Sequence, residues 1–317
     1  DSVLTEIEYT GQKITASGCF VGMGMSAYHG QPTDGPSISS GGLRTIWAES
    51  PAHFFAKSSL NPNRKDQADS PAFAVGRLAH KLLLEGREGL ADEFAIRPDC
   101  WDSWRTKDSQ VWRDEQILGG RTVITEDDLV TVTGMAESLA RHPLVKAGIL
   151  DGKIERSLIW KDAETGIWIK SRPDVIPNAS SVVADLKTTV SVTDDALEKS
   201  LASYGYNVQA SVVGMGLEAV LGLTMEAFAL VWVEKTDPFC VRVTQLTPDD
   251  IERGRLQVRS ALRTMARCLD TGVWPGPGGA DASYLSLPAW AAKRIDTELE
   301  LQAAETNDNI REPEKAA

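Results

Sequence analysis

Residues 167 to 189 read "IWIKSRPDVIPNASSVVADLKTT", and the fold of the whole chain turns on how this stretch is read. Two apolar runs, "DVIP" (174–177) and "SVVADL" (181–186), have the character of neighbouring strands joined by a short turn at 177–180. Each carries an aspartate, and the second ends in Asp185, Leu186 and Lys187. Residues two apart on a strand share a face, so Asp185 and Lys187 point one way while Leu186 points into the opposite layer. Asp174 lies eleven positions before Asp185 and can come alongside it across the turn, and Glu155 is expected on the strand before those. Charge in such apolar surroundings is costly unless it is paired or bound to a metal. Three carboxylates and one lysine can therefore converge at one edge of a sheet.

That combination has a definite chemistry. Carboxylate oxygens, supplemented by the backbone carbonyl of Leu186, suit a hard divalent cation such as Mg2+, with Mn2+ as a substitute. A lysine beside a metal-bound water can orient it and stabilise charge on a phosphoryl transition state. A bare D-x-K is more often a structural ion pair at a strand end, so the surrounding sequence has to decide.

The surroundings contain several ordered motifs: "SPAHFFA" (50–56), "SPAFAVGRLAHKLLLE" (70–85), "SRPD" (171–174), "ADLKTT" (184–189), "YGYNVQASVV" (204–213) and "GVWPG…LSLPAW" (272–290). In these the chain resembles the PD-(D/E)xK nuclease superfamily over residues 37 to 292, and within it the RecE-like (exodeoxyribonuclease VIII type) phage and prophage exonucleases. The resemblance implies that Asp174 and Asp185 bind metal with the Leu186 carbonyl, and that Lys187 is the catalytic lysine. It implies that His80 lies at the metal site, that Glu155 helps a second metal, and that Gln209 and Tyr206 support the site and contact DNA. Where the related motif often has an aromatic residue four positions after the glutamine, this chain has Val213. Arg172 and Lys170 share the face of Asp174 and are candidates to bind phosphate. Trp101, Trp104 and Trp112 could stack bases, but tryptophan is more often packing, which is the expectation here.

The activity implied is Mg2+-dependent, 5′-to-3′ digestion of double-stranded DNA from its ends. It would release 5′-mononucleotides and leave 3′ single-stranded tails for a partner annealing protein of the RecT type. The expected assembly is a homo-oligomeric ring, a tetramer before a trimer. Two other readings stay open: a structure-specific or single-strand nuclease of the RecB/Cas4-like branch, and a catalytically inactive DNA-binding protein.

Composition is compatible with this reading. The 317 residues are 42% hydrophobic and 25% charged, the balance of a globular protein. No run approaches the roughly 20 apolar residues that span a bilayer, and no secretory signal pattern opens the chain, so the cytoplasm (of a bacterial host) is the expected compartment. Cys19, Cys100, Cys240 and Cys268 form no C-x-x-C pair, which argues against a zinc or iron–sulfur site built from them. The net charge of −12 disfavours nucleic acid only weakly, because residues 296–317 hold seven acids against Arg311 and Lys315. An acidic exterior around a locally basic channel would reconcile the two.

Along the chain, residues 1–36 read as an irregular arm with a strand or two, and 293–317 as an acidic tail, solvated or disordered. Helices are expected over 72–86, 125–143, 194–222 and 247–272, with 98–124 loop-rich, and strands over about 153–189, two of them flanking the turn "AETG" (163–166), and on either side of "TDP" (236–238). The fold class is therefore α/β (α+β): a central mixed β-sheet flanked by helices, the restriction-endonuclease-like core of PD-(D/E)xK proteins.

Overall fold

The structure is a computed structural model that describes residues 5–65, 71–178, 180–278 and 281–311. The chain divides into two units, Asp1–Pro275 and Gly276–Ala317. The strands of the first unit are β1 (Glu6–Glu8), β2 (Gly18–Val21), β3 (Ser37–Ser39), β4 (Phe94–Ile96), β5 (Thr122–Ile124), β6 (Gly152–Ile154), β7 (Ser157–Lys161), β8 (Trp168–Ser171), β9 (Val175–Pro177), β10 (Val182–Thr189), β11 (Ala227–Glu234) and β12 (Val241–Gln245). Its helices are α1 (Met25–His29), α2 (Ser40–Ala48), α3 (Pro51–Lys57), α4 (Pro71–His80), α5 (Leu90–Glu93), α6 (Lys107–Leu118), α7 (Glu126–Arg141), α8 (Pro143–Lys146), α9 (Asp194–Tyr204), α10 (Tyr206–Gly216) and α11 (Pro248–Thr271).

The fold is mixed α+β, as the sequence implies, with its strands divided among several ladders. A five-stranded sheet runs β1-β2-β7-β8-β3, a three-stranded sheet runs β10-β11-β12, and β4-β5 and β6-β9 form pairs. β7 and β8 are the antiparallel hairpin expected around "AETG", with Leu158 opposite Ser171 and Lys161 opposite Trp168. β10 and β11 are parallel, which requires a crossover, and α9 and α10 supply it. β11 is buried along nearly its whole length, as befits a strand covered on both faces.

Alternation along β10 divides its neighbours between two cores. Val183 joins the cluster built with α2, α10 and α11, whereas Ala184 and Leu186 join the cluster built with α4 and α7. The two helices most clearly marked in sequence close as their caps dictate. Thr125 and Asp128 make a capping box at the start of α7. Thr247 caps α11, Pro248 opens it, and Gly272 ends it with φ +69°.

The arm expected over residues 1–36 supplies the strand or two foreseen for it, β1 and β2, and β2 pairs with β7. Three expectations need correction. The loop-rich reading of 98–124 misses α6, whose Thr106 cap accepts from the Ser109 amide. The helix expected over 194–222 is broken at Gly205, whose φ of +62° is the left-handed conformation that glycine adopts freely. In the second unit, residues 293–311 lie in helix α12 (Ala289–Arg311) rather than in a disordered tail. Residues 298–305 read "ELELQAAE", strong helix formers throughout, and Arg294 sits 3.6 Å from Glu298 at i,i+4 spacing. Residues 312–317 of that tail lie outside the described residues.

Candidate active site

β10 carries Asp185 and Lys187, and its parallel ladder places them opposite Leu230 and Trp232 of β11. β10 is an edge of its sheet. On the unpaired side, the Leu186 N–H donates to Asp174 Oδ2 at 2.7 Å, so a side chain takes the place of a neighbouring strand. The N–H and C=O of one strand residue point to the same edge, which turns the Leu186 carbonyl toward Asp174 as well. Asp174 is held there because it immediately precedes β9, which pairs with β6 through Val175 and Ile154.

Side chains from both cores meet at this edge. From the α4 side, His80 brings Nδ1 to 3.2 Å from Asp174 Oδ1. From the α10 side, Gln209 donates Nε2 to Asp185 Oδ1 at 2.8 Å and accepts from Lys187 Nζ at 3.0 Å. One amide thus orients both the carboxylate and the lysine. Lys187 Nζ lies 2.6 Å from Asp185 Oδ2 and 4.6 Å from the centre of the Tyr206 ring. That ring packs edge-on against Trp232, 5.6 Å between centroids. Despite the short ion-pair distance, Oδ2 of Asp185 receives no properly aligned hydrogen bond and is fully buried.

The charges in the cluster answer one another. Burial alone would lower the His80 pKa, but the charge and hydrogen bond of Asp174 outweigh it and hold the imidazole up at about 9. Burial likewise opposes ionisation of Asp174, yet His80, Lys187 and the Leu186 N–H leave its pKa below the ordinary value. Asp185 goes the other way. Burial and the neighbouring Asp174 carboxylate raise it, against the pull of Lys187. The Lys187 ammonium, which burial would destabilise, is held charged by Asp185 and Asp174.

Asp174 and His80 open onto a cavity of about 420 Å3, also lined by Glu155, Glu85, Arg172 and Phe94. Asp185, Lys187 and Gln209 do not line it. Glu155 is not on a strand, as the sequence suggested. It follows β6 with φ +51°, left-handed for a residue with a Cβ, and its amide donates to the Asp174 carbonyl at 3.2 Å. Burial and the charge of Glu85 raise its pKa. The part played by Glu85 is not visible in the sequence as an α-helical pattern. His80 and Glu85 are five residues apart, and they line one cavity because Lys81–Glu85 is a π-helical turn.

Arg172 reaches the cavity but is tied down, donating to the Met23 carbonyl at 2.7 Å and to Ser157 Oγ, with its guanidinium 4.5 Å from the centre of the Tyr28 ring. Lys170 does not share that position. It is buried and donates to the Tyr28 and Gly30 carbonyls at 2.6 and 2.8 Å, closing the C-terminus of α1 rather than facing a phosphate. Trp104 stacks on Trp112 and Trp101 leans on the same ring, so these tryptophans pack on one another. Val213 is buried in the core.

Among the described residues no three His, Cys, Asp or Glu side chains are grouped so that they could hold a metal ion by themselves. The donor set still fits a hard cation of the Mg2+ type. Such ions take one or two carboxylates and keep several waters, and Asp174, Asp185 and the Leu186 carbonyl supply oxygens at one edge. The buried Asp185 Oδ2 has no aligned donor, although Lys187 Nζ stands 2.6 Å away, and so is free to accept a further partner. Also among the described residues, no helix is long and apolar enough to cross a membrane.

Comparison with known proteins bears on the family and the fold. A family described as a PDDEXK-like domain of unknown function (DUF3799) matches residues 39–285. No curated protein matches the sequence. The crystal structure of a candidate exonuclease from Eubacterium rectale superposes with a TM-score of 0.54 at 12% identity, over 83% of this chain and 91% of that one. The crystal structure of SSO0001 matches at 14% identity over 62% of this chain and 88% of that one, with a TM-score of 0.27 too low to carry an argument.

Proposed function

This chain belongs to the PDDEXK-like family, and from that premise we propose that it is a metal-dependent exonuclease acting on the ends of double-stranded DNA. The observation that carries the reading is the Asp174, Asp185 and Lys187 cluster at one strand edge, with Gln209 bridging two of its members. Asp174, Asp185 and the Leu186 carbonyl would hold a divalent cation, Mg2+ or Mn2+, with His80 and Glu155 on its cavity side. When bound, such an ion polarises a phosphoryl oxygen and makes a water nucleophilic at neutral pH.

The protein's own groups do the rest. Lys187 places a permanent positive charge where negative charge grows on the phosphate, in a site dry enough for that charge to count. Gln209 removes the rotational freedom of Lys187 and Asp185 together, so neither has to be reordered during the reaction. Arg172, pre-positioned by Ser157 and the Met23 carbonyl, presents a guanidinium to a phosphate entering the cavity.

The finer reading follows the resemblance to RecE-like exonucleases: 5′-to-3′ digestion to 5′-mononucleotides, 3′ tails passed to an annealing partner of the RecT type in recombination, and a ring-shaped homo-oligomer. The test is digestion of linear, 5′-phosphorylated duplex with Mg2+, with EDTA, and by the Lys187→Ala protein, beside a closed circle of the same sequence. Digestion of the linear duplex by the wild type with Mg2+ alone is expected. Digestion that survives EDTA or the Lys187 change, or cleavage of the closed circle, would refute it.

A further inference from the structure

Lys187 has three N–H donors, and the structure accounts for its surroundings on three sides: the Asp185 carboxylate, the Gln209 amide oxygen and the face of Tyr206. The first two are polar groups of the site itself. The third is not, and the placement of its ring is unusually well determined. Tyr206 is the first residue of α10, directly after Gly205, whose left-handed backbone ends α9 and starts α10 in a single step. A Cβ at Gly205 would fall 2.7 Å from the Arg44 side chain, so the junction is closed sterically as well as conformationally. The ring is then wedged between Tyr204, stacked at 5.7 Å, and Trp232, edge-on at 5.6 Å. Trp232 is in turn fixed by a hydrogen bond from its indole N–H to Thr244 Oγ1 at 2.9 Å, and it lies opposite Lys187 in the β10–β11 ladder.

We propose that Tyr206 is a positioning residue, whose aromatic face fixes the ammonium of Lys187 through a cation–π contact while its hydroxyl takes no part. The proposal rests on the nuclease reading only for its kinetic consequence; the contact itself does not depend on it. It gives a specific form to the expectation that Tyr206 supports the site, and sets it against the DNA contact expected of the same residue. An ammonium over a π face is attracted along the ring normal, and the attraction grows as water is excluded. Asp185 and Gln209 pull Lys187 back toward the strand edge. Tyr206 adds a third attraction, over its ring face, and the three together fix where the charge stands. Phenylalanine supplies nearly the same face without the hydroxyl, and leucine fills the space without the face.

Two measurements test this, on Tyr206→Phe and Tyr206→Leu proteins. The first needs no activity. In protein labelled with 13C-lysine, with the Lys187 signal assigned by its loss in Lys187→Arg, the ε-protons should be shifted upfield by the ring. The shift should persist in Tyr206→Phe and vanish in Tyr206→Leu. A Lys187 signal at the ordinary lysine position in the wild type overturns the proposal, whatever the enzyme does. The second is kinetic, on linear duplex with Mg2+. Tyr206→Phe should stay within about twofold of wild type. Tyr206→Leu should lose about ten- to thirtyfold in kcat at unchanged KM, the size of a partly desolvated cation–π contact. A loss in Tyr206→Phe equal to that in Tyr206→Leu, or a loss confined to KM, would mean a hydroxyl or DNA contact and sink the idea. A wild type that shows the upfield signal but cuts no DNA would instead count against the nuclease reading alone.

Discussion

A divalent ion that uses His80 as a ligand should bind more tightly as pH rises, by an amount the site itself sets. Metal takes neutral imidazole, and Asp174 holds the His80 pKa up at about 9. At pH 7 the ring is two units below that value, so only about 1% of it is neutral. Binding must release the proton, which weakens affinity at pH 7 by about 100-fold, or about 2.7 kcal/mol, relative to the deprotonated ring. Calorimetric titration with Mn2+, without DNA, should show affinity rising about tenfold per pH unit between about pH 6.5 and 8.5. Repeating it in buffers of different ionisation enthalpy should count about one proton released. His80→Gln should flatten the slope by about one unit. The metal-free protein carries the complementary signature. Because the folded pKa lies above the ordinary 6.5, the His80–Asp174 pair stabilises fully below that value, and its contribution is lost as pH rises toward about 9. Wild type should therefore lose more stability than His80→Gln over that interval. Mn2+ affinity that is flat with pH in the wild type, with no proton released, would show that His80 stays paired with Asp174 and is no ligand.

Two further substitutions separate support from chemistry. Gln209→Leu strips the aligned donor from Asp185 Oδ1, when Oδ2 already has none, so the metal-free protein should lose about 2–3 kcal/mol in urea unfolding, and the same variant assayed with Mg2+ should lose most of its turnover. Gly254→Ala places a methyl group on the Asn207 carbonyl and Ser211 Oγ, where α11 crosses α10. It should cost about 1–3 kcal/mol by thermal unfolding and lower kcat, because Gln209 rides on the displaced helix; full activity would show that α10 can move without disturbing the site.

The strand-borne half of the site was legible because β periodicity is short-range and strict. Asp185-Leu186-Lys187 fixes its own alternation, and Leu186 duly packs against the α4 side while its neighbours face the other. Helix starts were legible where the caps are chemical, as at Thr125 and Thr247. What failed had local signals that pointed the wrong way or were absent. Gly205 inside an apolar helical pattern looks like a tolerated glycine, and only the crossover from β10 to β11 makes it a break. Lys170 and Arg172 share a face in sequence, but whether a cation there meets solvent or the carbonyls of α1 is decided by a helix some 140 residues earlier. Glu85 required a π turn, which no 3.6-residue template contains. The division of the strands into separate ladders is a long-range matter of the same kind.

The cluster's own balance bears on where positive charge is still wanted. His80 and Lys187, both held protonated, oppose two aspartates, so the buried set is close to neutral. The compensation is nevertheless uneven. Asp174 has the imidazole and a strand N–H aimed at its two oxygens, and its pKa falls. Asp185 is more deeply enclosed, feels Asp174 as a like charge, and its pKa rises although a lysine stands 2.6 Å away. Its Oδ2 is the buried side-chain atom that lacks an aligned donor among the described residues. The electrostatic and the geometric observation single out the same carboxylate. A second ammonium could not relieve it, because an ammonium brings one charge and needs several oriented acceptors. A small divalent cation brings two charges and accepts oxygens from Asp185, Asp174 and the Leu186 carbonyl at once. A divalent ion bound there, as proposed above, would offset the cost of burying Asp185, with Lys187 held beside it rather than in its place.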